Sequence, residues 1–197
     1  MIGPDAAARD AFARGVLATA GGKLWREVTI FDIADAASVE VASLAGLSPA
    51  DAPDILEDHF DRAAAAGVTT VDRSQGLRDR VFDIAMKRFE AMEPHRAALL
   101  ALEDNRDGVA IAQAFARAGR TARWLLTLSG EAVDGVDGAA KVQGLAIVLT
   151  RTRGAWRDDT DGDFVKTMAA LDKGLRQAET WSERIGFGFG RKKADPA

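Results

Sequence analysis

Side chains that commonly act as nucleophiles, bases or metal ligands are scarce in this chain. Its 197 residues contain no cysteine and only two histidines, His59 and His95. Thiol catalysis, disulfides, iron–sulfur clusters and cysteine-based zinc sites are thereby excluded. Neither histidine stands in a recognisable arrangement with a carboxylate and a nucleophile. We therefore expect no catalytic residues and no enzyme activity.

Two short segments resemble ligand-binding motifs without meeting their requirements. An EF-hand calcium loop counted from Asp159 needs glycine at its sixth position and glutamate at its twelfth, but Phe164 and Ala170 stand there. The glycine-rich run at 186–191 lacks the lysine–serine or lysine–threonine pair of a phosphate loop. The sequence therefore predicts no metal ion and no cofactor. The aspartates near 160 are typical of a solvated turn, with Asp163 as a helix cap.

The elements that position any site are predicted to be helices. Helical spacing of apolar residues recurs along the whole chain, whereas alternating strand patterns are almost absent. We predict an all-α fold of about nine helices, at 5–20, 30–36, 39–47, 50–66, 77–92, 95–103, 108–128, 139–156 and 164–181. No apolar run is long enough to span a bilayer, and the start lacks an apolar signal-peptide core. We therefore expect a cytoplasmic protein.

Residues 24–39, LWREVTIFDIADAASV, have the pattern of a helix-turn-helix. Thr29 can cap a helix in which Ile33 faces the core and Ala34 lets two helices approach closely. Small residues at 37 and 38 suit the turn. This segment resembles the N-terminal DNA-binding head of the tetracycline-repressor (TetR) family.

The charge of this head opposes DNA binding. Residues 27–61 contain nine acidic residues and no lysine or arginine, whereas the rest of the chain has 26 basic and 21 acidic residues. Affinity for DNA comes largely from cations that neutralise phosphates. DNA is therefore a doubtful partner. If it is bound, the residues expected to touch it are Arg26, Thr29 and Ser43.

The C-terminal third, residues 141–175, shows a second resemblance, to the ubiquinone-biosynthesis lipid-binding proteins. That family keeps a TetR-type fold but does not bind DNA. The matching positions are Trp156, Asp159, Thr167, Leu171 and Asp172, with Asp134 and Asp137 in the turn-forming stretch before them. Both resemblances imply an apolar cavity between the middle helices and a homodimer formed through the last two. They also imply a helix-turn-helix-like head at 1–48, a ligand-binding and dimerisation body at 49–183 and a glycine-rich basic tail at 184–197.

Apolar residues of the later helices supply the candidate sites. The ligand pocket is predicted to contain Met86, Phe89, Phe115, Trp124, Leu125, Leu145 and Val148. The dimer interface is predicted to contain Leu149, Trp156, Phe164, Met168, Leu171 and Leu175. A helix that is apolar nearly all round needs cover on every side, which a second copy of the chain would provide.

Three functions stay open. The first is a non-enzymatic binder of a hydrophobic or lipid-like ligand, with a degenerate, acidic helix-turn-helix. The alternative is a ligand-responsive DNA-binding transcriptional regulator of the TetR type. The third is a protein–protein adaptor whose acidic head meets a basic partner. Separately, the tail has the composition of a peripheral membrane contact, in which Phe187 and Phe189 insert beside basic residues.

Overall fold

The computed structural model describes residues 5–103 and 108–185. Within these two ranges the protein is helical and forms no strand. In chain order the α-helices are α1 (Ala6–Thr19), α2 (Ile30–Ala36), α3 (Ala52–Ala65), α4 (Leu77–Met92), α5 (Arg96–Glu103), α6 (Gly108–Leu128), α7 (Gly135–Arg157) and α8 (Val165–Ile185). Short 3-10 turns lie at Trp25–Glu27, Val41–Leu44, Pro49–Asp51 and Glu93–His95.

The chain divides into two compact units. Among the described residues, the first unit consists of 5–63, 90–103 and 108–111, and the second of 64–89 and 112–185. The predicted boundary between a head at 1–48 and a body at 49–183 is based on the resemblance to the helix-turn-helix family, and it stays a prediction.

In the first unit, local hydrogen bonds set the ends of α1 and α2. The Asp5 carboxylate accepts from the backbone N–H of Ala8 at 2.7 Å and caps α1. Thr29 and Asp32 form the reciprocal bonds of a capping box at the start of α2, as the sequence predicted for Thr29. A Cβ atom added to Gly15 would lie 2.2 Å from the Ile33 carbonyl oxygen, so only glycine lets α1 and α2 approach this closely.

The helix predicted at 39–47, which would be the recognition helix of the helix-turn-helix, is not an α-helix. Ser38 adopts a left-handed backbone with φ 55°, and the chain then makes only the four-residue 3-10 turn at Val41–Leu44. Gly46, with φ 85°, ends the segment. Valine, serine and glycine are weak helix formers, and nine residues are too few to form a helix without strong packing. The predicted count of about nine helices is therefore not reached in the described residues.

The second unit contains a continuous apolar core built from α4, α6, α7 and α8. Its members include Val81, Leu125, Leu145, Leu171 and Leu175, each nearly inaccessible to solvent. α7 and α8 are consecutive and pack side by side. The two helices approach closely at Gly174, where an added Cβ would lie 2.7 Å from the Val148 side chain.

The other predicted helices are confirmed, with ends that differ by four residues at most. Apolar periodicity was sufficient to find them because each buries one face. In the part of the chain that the structure describes, no helix has both the length and the apolar character needed to cross a membrane.

Candidate functional site

A groove of about 400 Å³ lies between α4 and α8 in the second unit. Small-molecule sites usually have volumes of roughly 300–1,000 Å³, so this groove is large enough for a small ligand. Its lining residues are Arg78, Asp79 and Phe82 from α4 and Met168, Ala169 and Asp172 from α8. On both helices the spacing is i, i+1 and i+4, which places the three side chains on one side of the helix.

The floor of the groove is apolar. Phe82 is half-buried and packs against the core, Met168 is 38% exposed, and Ala169 adds a methyl group between charged neighbours. Binding of a ligand over an apolar floor of this kind is favourable, because apolar surface is removed from water.

The rim of the groove is charged, and its charged side chains form ion pairs. Arg78 lies 3.2 Å from an oxygen of Asp79 on its own helix and 3.7 Å from an oxygen of Glu179 on α8. Asp172 accepts a hydrogen bond from Arg176, one turn further along α8. That bond, opposed by partial burial and helped by the charge of Arg78, holds the pKa of Asp172 below its usual range. At neutral pH the rim therefore carries both signs of charge around an apolar floor.

The predicted pocket residues do not line this groove. Met86, Leu125, Leu145 and Val148 are buried in the packed core of the second unit. Phe89 is buried as well, with its ring centroid 6.5 Å from that of Trp156. Phe115 and Trp124 are 42% and 39% exposed. Five of the seven residues thus fill the core, and two reach the surface of α6.

The predicted interface residues also divide into buried and exposed groups. Leu149, Trp156, Leu171 and Leu175 are buried inside the second unit of a single chain. Phe164 is half-buried, and Met168 is exposed in the groove. The homodimer stays a prediction, and Phe164 and Met168 are the members of this set that a second copy would reach.

Asp159 and Thr167 form the connection between α7 and α8. Asp159 is only 2% exposed, and one of its oxygens accepts from both the backbone N–H and the hydroxyl of Thr167, each at 2.8 Å. Burial raises the pKa of Asp159, but the two bonds from Thr167 together with the charge and backbone N–H of Lys166 outweigh it and leave the pKa below its usual value. Trp156 and Leu171 lie in the core on either side. The sequence did not predict this buried capping role for Asp159, because it assigned the aspartates to a solvated turn.

The residues considered for DNA contact make local bonds in the first unit. Arg26 lies 3.9 Å from Glu27. The Thr29 hydroxyl donates to Asp32 at 2.6 Å, and the Ser43 hydroxyl donates to the Glu40 carbonyl at 2.7 Å.

Other cations of the first unit also pair with acids of the 27–61 segment. Lys23 lies 2.7 Å from Asp32, and Arg9 pairs with Asp58. Hydrogen bonds from Lys23 and Thr29 hold the pKa of Asp32 far below its usual range. These side chains serve the fold of the unit and offset part of its acidic charge.

The two histidines, far apart in sequence, lie on either side of Phe60. Ring centroids are 5.2 Å apart for His59–Phe60 and 6.1 Å apart for Phe60–His95. Burial lowers the pKa of His59, and the charge of Arg62 adds to the shift, while Asp10 at 3.9 Å opposes it. Across 5–103 and 108–185, no group of three or more histidines and acids is placed to hold a metal ion.

Sequence reasoning missed Phe82 and Arg78. Val81, Ile84 and Phe89 form the core-facing stripe of α4, and Phe82 lies beside that stripe. Phe82 could have been found from the sequence as an aromatic residue outside the core-facing stripe of α4. The tail predicted at 184–197 begins two residues later, because 184 and 185 belong to α8. Residues 186–197, with their predicted membrane contact, lie outside the described residues.

Comparison with known proteins adds no family to this picture. No protein-family model matches the chain, and no curated protein matches it either.

Proposed function

We propose that this protein is a non-catalytic binder of an apolar ligand, which lies in the groove between α4 and α8. The observation that carries the proposal is an open groove of about 400 Å³ with an apolar floor and a charged rim. A single aliphatic chain with a polar head matches this arrangement. Its chain would cover Phe82 and Met168, and its head would meet the ion pairs of the rim.

The proposal moves the ligand from the predicted cavity to the surface of the second unit. Met86, Leu125 and Leu145 are packed in the apolar core of the second unit. A ligand bound there would have to displace these side chains. Displacing packed side chains forfeits their contacts, which costs several kcal/mol for each large residue. A ligand in the groove meets no such cost, because the groove is open in the unliganded chain.

We do not extend the proposal to DNA binding. Major-groove recognition places a helix against base edges, and the segment 39–47 forms only a 3-10 turn in this position. Ser43, one of the residues expected to touch DNA if it is bound, donates its hydroxyl proton to the Glu40 carbonyl. The nine acids of 27–61 would also repel phosphates.

A fluorescent amphiphile tests the proposal. Titration of the protein with dansyl-labelled undecanoic acid should give saturable binding with one site per chain. Met168→Glu places a carboxylate in the apolar floor, and an unpaired charge covered by an alkyl chain costs at least about 1.4 kcal/mol. We therefore expect roughly a tenfold or greater loss of affinity.

Ile147→Glu provides the matched control. Ile147 is 42% exposed, similar to Met168, but lies on α7 and does not line the groove. Its substitution should leave the affinity unchanged. Absence of saturable binding by the wild-type chain, or equal affinity in the Met168→Glu protein, would overturn the proposal.

A further inference from the structure

The two ends of the groove between α4 and α8 differ in polarity. On α8 the apolar Met168 comes first and Asp172 follows one turn later. On α4 the order is reversed, because Arg78 precedes Phe82 by one turn. Arg78 lies 3.7 Å from Glu179 of α8, so the charged parts of both helices meet at the same end of the groove. An amphiphile bound there would therefore place its head at this end and its alkyl chain at the other.

Arg78 is the cation among the described residues that line the groove, and carboxylates already surround it. Its Nε and Nη2 atoms lie 3.3 and 3.2 Å from Oδ1 of Asp79. Its Nη1 atom lies 3.7 Å from Oε2 of Glu179. All three nitrogens of the guanidinium group are thus next to an acid. A carboxylate or phosphate head would have to compete with two resident acids for this one cation.

The two carboxylates that line the groove keep acceptor atoms for a further donor. In the described part of the chain, the hydrogen bonds to Asp79 use Oδ1, and the hydrogen bond to Asp172 uses Oδ2. Each carboxylate therefore has a second oxygen outside these bonds, and an ionised carboxylate accepts at both oxygens. The hydrogen bond from Arg176 holds the pKa of Asp172 below its usual range, so this group is charged at neutral pH.

The ion pairs at this end of the groove contain more acids than bases. The acids are Asp79, Asp172 and Glu179, and the bases are Arg78 and Arg176, which gives three negative and two positive formal charges. A cationic head would neutralise the excess acid, whereas an anionic head would add to it. Complementary charge of this kind determines which of two similar ligands is preferred.

We propose that the groove selects single-chain amphiphiles whose head is a primary ammonium group. The ammonium group has three N–H donors, which suit the available oxygens of Asp79 and Asp172. The alkyl chain covers Phe82 and Met168. The inference rests on the proposed function, because it names the head group of the ligand that binds in the groove.

Competition among ligands with the same alkyl chain tests the head group alone. Dodecylamine, dodecanol and dodecanoate are each used to displace dansyl-labelled undecanoic acid at neutral pH, below their micelle concentrations. The amine is protonated there, because an alkylammonium group like that of lysine has a pKa of about 10.4. A partly exposed charge contact changes an affinity by up to about fivefold, and two acids act here. We therefore expect dodecylamine to bind roughly tenfold more tightly than dodecanoate, with dodecanol between them.

Ethylamine tests whether the alkyl chain is needed. It carries the same ammonium head but covers almost none of the apolar floor. It should not displace the probe at the concentrations at which dodecylamine does. Displacement by ethylamine at those concentrations would contradict an amphiphile as the ligand.

Two matched variants locate the preference in the groove. Asp172→Asn removes one of the two lining carboxylates and keeps an oxygen that can accept from Arg176. It should lower the affinity ratio of dodecylamine to dodecanoate by about threefold or more. Asp137→Asn removes the same charge from an exposed position in the first turn of α7, which does not line the groove. It should leave the ratio unchanged, because the overall charge of the chain is not the cause.

The possible results separate this inference from the proposed function. If the probe binds saturably but dodecanoate competes as well as dodecylamine or better, the inference is wrong and the proposed function stands. A preference for the amine that Asp172→Asn retains in full would also overturn the inference, since the head would then lie elsewhere. Absence of saturable probe binding would overturn the proposed function and this inference with it.

Discussion

Asp159 should contribute more to the stability of the second unit than any neighbouring aspartate of its loop. Its carboxylate is 2% exposed and accepts two hydrogen bonds of 2.8 Å from Thr167 at the start of α8. Hydrogen bonds to a charged group contribute about 1.5–3 kcal/mol each, and part of this returns when water reaches the freed donors. Asp159→Ala should therefore lower the free energy of unfolding by about 2–4 kcal/mol. For a chain of this length that corresponds to roughly 5–15 °C in Tm.

Urea unfolding followed by circular dichroism measures this loss. Asp159→Asn should cost less than Asp159→Ala, because the amide oxygen still accepts one bond. Asp161→Asn is the matched control: it removes an exposed carboxylate from the same loop and should change stability by less than about 0.5 kcal/mol. If Asp159→Ala unfolds at the wild-type urea concentration, the buried cap does not stabilise the connection between α7 and α8.

The pH dependence of the free energy of unfolding provides a second test of the role of Asp159. The pKa of Asp159 is lower in the folded than in the unfolded protein. Its contribution is therefore present above an unfolded pKa of about 3.9 and is lost as the pH falls through the folded pKa. The wild-type protein should lose more stability in this window than the Asp159→Asn protein, and parallel curves would contradict the assignment.

Two further perturbations test the packing of each unit. Gly174→Ala should destabilise the protein by about 1–3 kcal/mol in urea unfolding, because the new methyl group meets Val148. Gly144→Ala, on an open part of α7, should be neutral or stabilising. Equal effects of the two substitutions would refute the close contact at Gly174. His59 has a lowered pKa because burial and nearby cations disfavour its charge, so its contribution to stability is present above pH about 6.5 and is lost as the pH falls through the folded pKa. His59→Gln should flatten thermal stability between pH 7 and 5, and an unchanged slope would refute that role.

Local signals in the sequence were sufficient for most of the helices. Thr29 predicted the start of α2, and the structure adds the reciprocal bond from its backbone N–H to Asp32. The helical spacing of apolar residues predicted α8, whose Leu171 and Leu175 are buried in the core. Signals of this kind act within one or two helical turns and do not depend on the rest of the fold.

The resemblance alone could not show whether residues 39–47 form an α-helix. Residues 39–47 match the expected position, but Val39, Val41 and Gly46 disfavour an α-helix and Ser38 turns the chain into a left-handed conformation. Propensity, rather than position in a motif, determined the local structure here.

The site was predicted less well than the fold. Residue type identifies Met86 and Leu145 as apolar but does not say whether their side chains fill a core or leave a cavity. That outcome depends on the packing of four helices, which no local pattern encodes. The groove arises from the spacing of Phe82 on α4 and Met168 on α8, which are 86 residues apart in the chain.

Methyl NMR of the methionines tests the central claim most directly, because the four methionines report on different places. Met86 and Met92 are buried, Met168 lies in the groove, and Met1 begins the chain. With ¹³C-methyl methionine and increasing dansyl-labelled undecanoic acid, the Met168 signal should shift to saturation while those of Met86 and Met92 stay in place. Shifts of Met86 without a shift of Met168 would place the ligand in the core and contradict the groove as its site.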